Sequence, residues 1–297
     1  MKNILLVMNP QAGGGRAAKL LPAIEHELGQ HVSQQQVFCS SASASIRNWL
    51  GQKNLNGIDA VVAAGGDGTL FEAVNGLMCH SLQSRPPLGV LPIGTGNAFS
   101  RDLGLQAGDW QSALELIFKG ETRQIDLGQI DCAAGRIYFL NIAGMGFVVD
   151  AGLTARRLKH IGHSAYTLSA LWQTLKMRGH RLRIEVDGRL IEQDNLFVEL
   201  SNSRYTGTSF LMAPGARLDD GLLDLTLLRR LPRIRLLRLF PTIYSGKHVD
   251  YPEVMVVQGR EFSIIEPTDY PLMIDGEFVG TTPARIRCLP GELRIFA

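Results

Sequence analysis

The residues best able to do chemistry sit in short runs framed by glycine. Ala63-Ala64-Gly65-Gly66-Asp67-Gly68-Thr69 sets one carboxylate among three glycines, directly after an apolar run. Glycine lets the backbone approach a bulky anion through its dihedral freedom and lack of a side chain, and N–H groups opening the next helix point at that anion. A carboxylate there would repel phosphate unless a cation or a transferable proton stood between them. Asp67 is therefore placed to meet Mg²⁺ or to accept a hydroxyl proton. The competing reading is a plain turn with Asp67 as a helix cap. Gly94-Thr95-Gly96-Asn97 repeats the device one strand later. Two such loops on one sheet edge imply a bound polyphosphate.

Other motifs are weaker. Gly13, Gly15 and Ala18 match G-x-G-x-x-A, the dinucleotide fingerprint. That fold needs an acid near the end of the second strand to hold a ribose hydroxyl, and Val37-Phe38-Cys39-Ser40-Ser41 offers none. A strand-to-helix turn explains the glycines more simply. The P-loop pattern is absent, because Gly246-Lys247 is followed by His248. His160 and His163 lack the neighbouring carboxylate of a zinc-binding helix. Cys39, Cys79, Cys132 and Cys288 form no C-x-x-C pair and read as reduced residues of a cytoplasmic protein.

These loops need elements to hold them. Up to about residue 120 the pattern alternates. Residues 4–8, 36–39, 60–64 and 88–92 read as short buried strands, and 16–28, 45–50 and 69–78 as helices. Leu20, Leu21, Ile24 and Leu28 share one helical face. Such alternation predicts a mostly parallel sheet with right-handed crossovers, whose ligands bind at the carboxyl ends of the strands. The three glycine loops fall at those ends. Beyond Phe118 the texture becomes β-rich, with strand-like runs at 123–147, 181–191, 195–203, 221–229, 261–267, 270–277 and 284–296. Helices are expected in 150–179 and in part of 233–245.

Composition bounds the rest. A chain of 297 residues with 45% hydrophobic and 20% charged residues has material for a core and predicts two folded domains. A net charge of +2 is too small to argue for a nucleic-acid partner. The opening apolar run stops at Asn9-Pro10, which favours a first strand over a secretion signal. No run approaches the roughly 18 apolar residues of a membrane span, so membrane contact is expected to be peripheral. Between Arg229 and Phe240 five arginines interleave with Leu, Ile and Phe. That reads either as a surface helix touching anionic lipid or as a solvated basic face over a buried stripe. Arg156, Arg157 and Lys159 add to the same field. Nothing in the sequence speaks to oligomeric state.

Taken together, Asn9-Pro10 with its glycine turn, GGDGT at 65–69, PIGTGN at 92–97, LDDGLLD at 218–224 and DGE at 275–277 resemble the diacylglycerol kinase catalytic family. More narrowly they are similar to bacterial lipid kinases related to sphingosine kinases and NAD kinases. The resemblance implies a doubly wound parallel-sheet α/β nucleotide domain over 1–125 and a β-sandwich lipid-substrate domain over 126–297, the last strand returning to the first. It implies ATP contacts from Gly65, Gly66, Asp67, Gly68, Thr69, Leu70, Phe71 and Thr95, with Ser40 or Ser41 as a further contact. The segment 217–224 matches the family's magnesium loop, with Arg217 and Leu222 supplying carbonyls and Asp220 a carboxylate; its residues alone read as an Asp-Gly β-turn. Glu277 matches the family's catalytic base, while its residues alone read as a solvated hairpin carboxylate. Ala98 stands where diacylglycerol-type members usually carry an acid. The expected protein is a cytoplasmic, transiently membrane-associated Mg²⁺-ATP-dependent kinase acting on a diacylglycerol, phosphatidylglycerol or sphingoid hydroxyl. The alternatives are NAD-kinase-like phosphorylation of a soluble hydroxyl compound and a non-catalytic lipid or nucleotide sensor.

Overall fold

The computed structural model describes residues 1–146, 149, 179–207 and 209–297. The helix expected in 150–179, with Arg156, Arg157, Lys159, His160 and His163, lies outside the described residues. The chain separates into two compact units, Met1–Leu127 with Pro290–Ala297, and Gly128–Leu289.

In the first unit, β1 (Asn3–Met8), α1 (Ala12–His31), β2 (Gln34–Cys39), α2 (Ile46–Gln52), β3 (Ala60–Gly65), α3 (Asp67–Leu77), β4 (Leu88–Pro92) and α4 (Trp110–Lys119) alternate. The strands β3 and β4 are buried along their whole length, which explains their unbroken apolar runs. By contrast β2 opens with three exposed glutamines, as an edge strand does. Parallel ladders join β2 to β1, β1 to β3 and β3 to β4. Sequential order reverses around β1, and the β1/β3 boundary is the switch point where such sheets bind ligands. Regular helix in α1 starts only at Arg16, because Gly13, Gly14 and Gly15 stand at φ of 62°, 69° and 86°. From there Ala17, Ile24 and Leu28 pack on Ile4, Leu6 and Val62 of the sheet, as the helical spacing predicts. The α3 helix begins two residues earlier than its apolar periodicity indicates, so Asp67 and Gly68 belong to its first turn.

The second unit holds the inner end of β5 (Thr122–Cys132), then β6 (Gly135–Phe139), β7 (Ile142–Gly146), β8 (His180–Val186), β9 (Arg189–Ser201), β10 (Tyr205–Thr206), β11 (Phe210–Leu211), β12 (Leu223–Arg229), α5 (Arg233–Leu239), β13 (Val254–Gly259), β14 (Glu261–Glu266), β15 (Pro271–Ile274), β16 (Glu277–Thr281) and the start of β17 (Ala284–Phe296), as far as Leu289. The long β9 organises it. Residues 189–195 pair antiparallel with β8, and 197–201 lie between β7 and β12. From β7 the ladder continues through β15 to the β15–β16 hairpin. The end of β17 returns to the first unit, where Ile295 pairs parallel with Leu88.

Two readings of the β-rich region are corrected. The runs 181–191 and 195–203 are not separate strands, since the turn falls at Asp187-Gly188, both at positive φ, and β9 continues unbroken. An Asp-Gly pair between strands is the usual tight-hairpin signal. The strand β13 was not anticipated; among the described residues it is an edge strand pairing only with β12, with Met255 and Val256 exposed, so it shows no in–out alternation. The helix expected in 233–245 is α5, continued by 3-10 turns to Ser245.

Candidate active site

At the carboxyl ends of β1, β3 and β4 the three glycine loops meet, held by a few specific contacts. The Arg16 guanidinium donates to the Ile93 carbonyl at 2.7 Å, tying the first loop to the third. A Cβ on Gly13 would lie 2.7 Å from that same carbonyl oxygen, so the first loop tolerates only glycine there. The N–H groups of Ile93 and Gly94 both donate to the Gly65 carbonyl, at 2.9 and 2.8 Å, joining the third loop to the second. Gly66 and Gly94 touch backbone to backbone, and a Cβ on Gly94 would overlap the Gly66 Cα. Gly66 itself has an ordinary φ of −109°. Its lack of a side chain therefore serves close approach, and the dihedral freedom expected of it is not used.

Asp67 closes the assembly. Its Oδ1 accepts the Ala98 N–H at 2.8 Å, and the Asn97 and Phe99 N–H groups also favour its charged form. Burial outweighs these donors and pushes the carboxyl up to about 6, so it is mainly ionised at neutral pH. Asn97, at φ 54°, donates through Nδ2 to the Gly94 carbonyl at 2.7 Å. Thr95 is exposed at the rim, whereas Thr69, Leu70 and Phe71 are buried in α3 and offer a ligand only backbone. Ser40 is half-buried and donates its N–H to the Met8 carbonyl at 2.8 Å, placing it at the end of β2. Ser41 is exposed and its hydroxyl lies 3.2 Å from that of Ser43. The N–H groups of Asn97, Ala98 and Phe99 are thus directed at Asp67, and the buried acid holds the third loop against the second.

In the second unit Glu277 is the first residue of β16, paired across the hairpin with Ile274, and is half-buried. The turn is Asp275-Gly276 at φ 47° and 86°, a two-residue type I′ geometry. Asp275 is buried and its carboxylate accepts the N–H groups of Leu140, Asn141 and Ile142 at 2.8 to 2.9 Å. On the 217–224 segment, the Asp220 Oδ1 accepts the Leu222 N–H at 3.0 Å across Gly221 at φ 73°. Arg217 is exposed and Leu222 half-buried. Burial, and then the charge of Asp220, raise the carboxyl of Asp224 above the usual range. The carboxylates of Asp220 and Asp224 are oxygen donors of the kind a hard divalent cation takes. Among the described residues no group of three or more His, Cys, Asp or Glu side chains converges on a metal. Carbonyls and water would therefore complete any coordination around Asp220.

Sequence reasoning passed over Arg16 as a loop tie, Asp275 as an anchor and Glu199. The first two lie inside motifs already singled out. Glu199 had no signal: it is fully buried on β9, where Thr206 and Ser201 donate to Oε1 at 2.7 and 3.3 Å. Burial raises its carboxyl to about 7.

Comparison with known proteins gives this geometry its family. Residues 3–130 match the diacylglycerol kinase catalytic domain, and residues 142–297 match the YegS C-terminal NAD kinase beta sandwich-like domain. A diacylglycerol kinase of Mycobacterium tuberculosis (strain ATCC 25618 / H37Rv) is 30% identical over 98% of this chain and 94% of its own length. One from Bacillus subtilis (strain 168) is 28% identical over 95% of this chain and 92% of its own. The crystal structure of a candidate diacylglycerol kinase from Bacillus anthracis str. Sterne superposes with a TM-score of 0.83 at 27% identity, covering 99% of this chain and 95% of that one. With both halves matched in order, the chain belongs to the diacylglycerol kinase family, a family of lipid kinases.

Proposed function

We propose that the protein transfers the γ-phosphoryl group of Mg²⁺-ATP to a lipid hydroxyl at a membrane surface. The observation that carries this reading is the locking of three glycine loops around Asp67 at the carboxyl ends of β1, β3 and β4. Their N–H groups would cradle the nucleotide phosphates, with Gly65, Gly66, Gly68 and Thr95 nearest and Ser40 at the flank. Mg²⁺, when bound, would neutralise phosphate charge; Asp67 would face that cation with its negative charge from within the loops, and Asp220 with the Arg217 and Leu222 carbonyls would hold a separate ion. Glu277 would orient the lipid hydroxyl. A lipid hydroxyl is far less acidic than any carboxylic acid, so the proton leaves late. The lipid oxygen bonds to the γ-phosphorus as the bond to the β–γ bridging oxygen breaks, ADP departs, and the hydroxyl proton passes to Glu277.

The names of the relatives support diacylglycerol as the acceptor, ahead of phosphatidylglycerol or a sphingoid base. The α5 helix supports a peripheral lipid surface: it buries Leu236 and Leu239 yet leaves Ile234 69% and Leu237 38% exposed, beside exposed Arg230, Arg233 and Arg238. No described helix is long and apolar enough to cross a membrane. Assaying each acceptor singly in phosphatidylserine vesicles, whose lipid carries no free hydroxyl, against NAD in solution, tests the reading. Phosphate on diacylglycerol alone fits it; phosphate on NAD moves the chain to a soluble acceptor, and tight ATP binding with no product on any acceptor makes it a sensor.

A further inference from the structure

We propose that Asp275 is the positioning residue for Glu277, fixing the hairpin turn from which the catalytic carboxylate departs; this rests on the role given to Glu277 above. Asp-Gly tips of two-residue hairpins ordinarily face water. Here Gly276 is exposed but Asp275 is only 6% exposed, turned back into its own unit. One carboxylate serves three successive backbone donors: Oδ2 takes the Leu140 N–H, and Oδ1 takes those of Asn141 and Ile142. The Asp275 N–H returns a bond to the Ile142 carbonyl at 2.9 Å. Four hydrogen bonds therefore pin the hairpin tip to residues 140–142, the connection between β6 and β7 and the first residue of β7.

That connection is itself fixed from behind. Asn202 donates its side-chain amide to the Leu140 carbonyl at 2.9 Å and its backbone N–H to the Asn141 carbonyl at 2.8 Å. Ser203 donates its hydroxyl to the Asn141 side-chain oxygen at 2.9 Å. Asn141, Asn202 and Ser203 are all buried. Strand pairing agrees with the anchor, since Ile274 lies opposite Ala143 and Met273 opposite Gly144. Glu277 stands two residues from the pinned carboxylate, so its freedom to swing is set there. A carboxylate accepts all three donors on its two oxygens; an asparagine would turn an amide N–H₂ toward one of them. A catalytic base must be held within about 0.5 Å of its working position, and misplacement by about 1 Å can cost about 10²-fold in rate.

The experiment is a double-mutant cycle with Asp275→Asn, Glu277→Gln and the double variant, reading kcat, the KM for ATP and thermal unfolding. The expected result is that Asp275→Asn stays folded, leaves the KM for ATP unchanged and lowers kcat about 10-fold or more. In the Glu277→Gln background the same change should cost less than about 2-fold, because the group being positioned is already gone. Equal losses in both backgrounds, or no loss in kcat, would overturn the proposal while leaving Glu277 in its role. Undiminished turnover in Glu277→Gln alone would instead remove the reading beneath it. If Asp275→Asn does not fold, Asn202→Ala replaces it in the cycle. It loosens the anchor one step further back, with the same pattern expected and the same additivity contradicting it.

Discussion

Asp67 and Glu277 are both carboxylates, and the proposed function gives them different work. Asp67 accepts backbone N–H from the Gly94–Asn97 loop and its continuation, and burial lifts its carboxyl to about 6. Below that pH it is protonated and loses acceptor strength toward these donors, so nucleotide binding should weaken as pH falls through about 6. Asp67→Asn should accordingly impair both Mg²⁺-dependent ATP affinity and turnover. Glu277→Gln should keep ATP affinity and lose turnover by about 10²-fold, the range for removing a general base. ATP titrations with and without Mg²⁺, beside initial rates, separate the two; equal damage to ATP affinity in both variants would refute the division of labour. At this scale the sequence showed the glycine loops better than the contacts that join them. GGDGT and GTGN were recognisable as partner loops, but the Gly66–Gly94 contact joins residues 28 positions apart, and only the folded sheet brings them together. Arg16 escaped notice for the same reason, its partner being the Ile93 carbonyl.

Elements were legible where one period dominated. The alternation up to residue 120 gave the parallel strands almost to their ends, because strands buried on both faces are unbroken apolar runs. Legibility failed at β13, an edge strand without alternation, and at the Asp187-Gly188 turn, masked by polar residues on the half of β9 that follows it. Glu199 lies in the buried half of that strand and has a thermodynamic consequence. Its folded carboxyl, near 7, lies above its ordinary value of 4.5, so the native state holds a proton that the unfolded chain releases. This group's contribution to stability is therefore present at acid pH and is lost as pH rises from about 4.5 to about 7, by on the order of a few kcal/mol. Glu199→Gln should flatten that slope and be the more stable protein above about pH 7, as urea midpoints across the range would reveal. A parallel slope in the variant would contradict it. On the 217–224 turn, Asp220→Ala should weaken Mg²⁺ binding and lower activity, with partial recovery at high Mg²⁺. An unchanged metal titration would leave that turn purely structural.

For the whole molecule, the proposed reaction raises the question of how a chain without a described membrane-spanning helix would reach a lipid. Between Asp224 and Asp250 the sequence has no acid and six arginines and lysines, against a net charge of only +2 overall. Each basic residue near an anionic surface contributes about 1 kcal/mol, so Arg233→Ala with Arg238→Ala should weaken binding to phosphatidylglycerol vesicles roughly 30-fold. Affinity for ATP should not change. Vesicle sedimentation over a range of salt reads this, and identical binding by parent and variant would move the lipid surface elsewhere. The measurement that bears most directly on the account follows the γ-phosphate itself: purified protein, Mg²⁺, ATP labelled at the γ-position and vesicles made from a total lipid extract, followed by solvent extraction. The account predicts label in one extractable lipid, about 10²-fold less with Glu277→Gln, and none when Mg²⁺ is removed; label confined to the aqueous phase, or no transfer at all by folded protein that binds ATP, would contradict it.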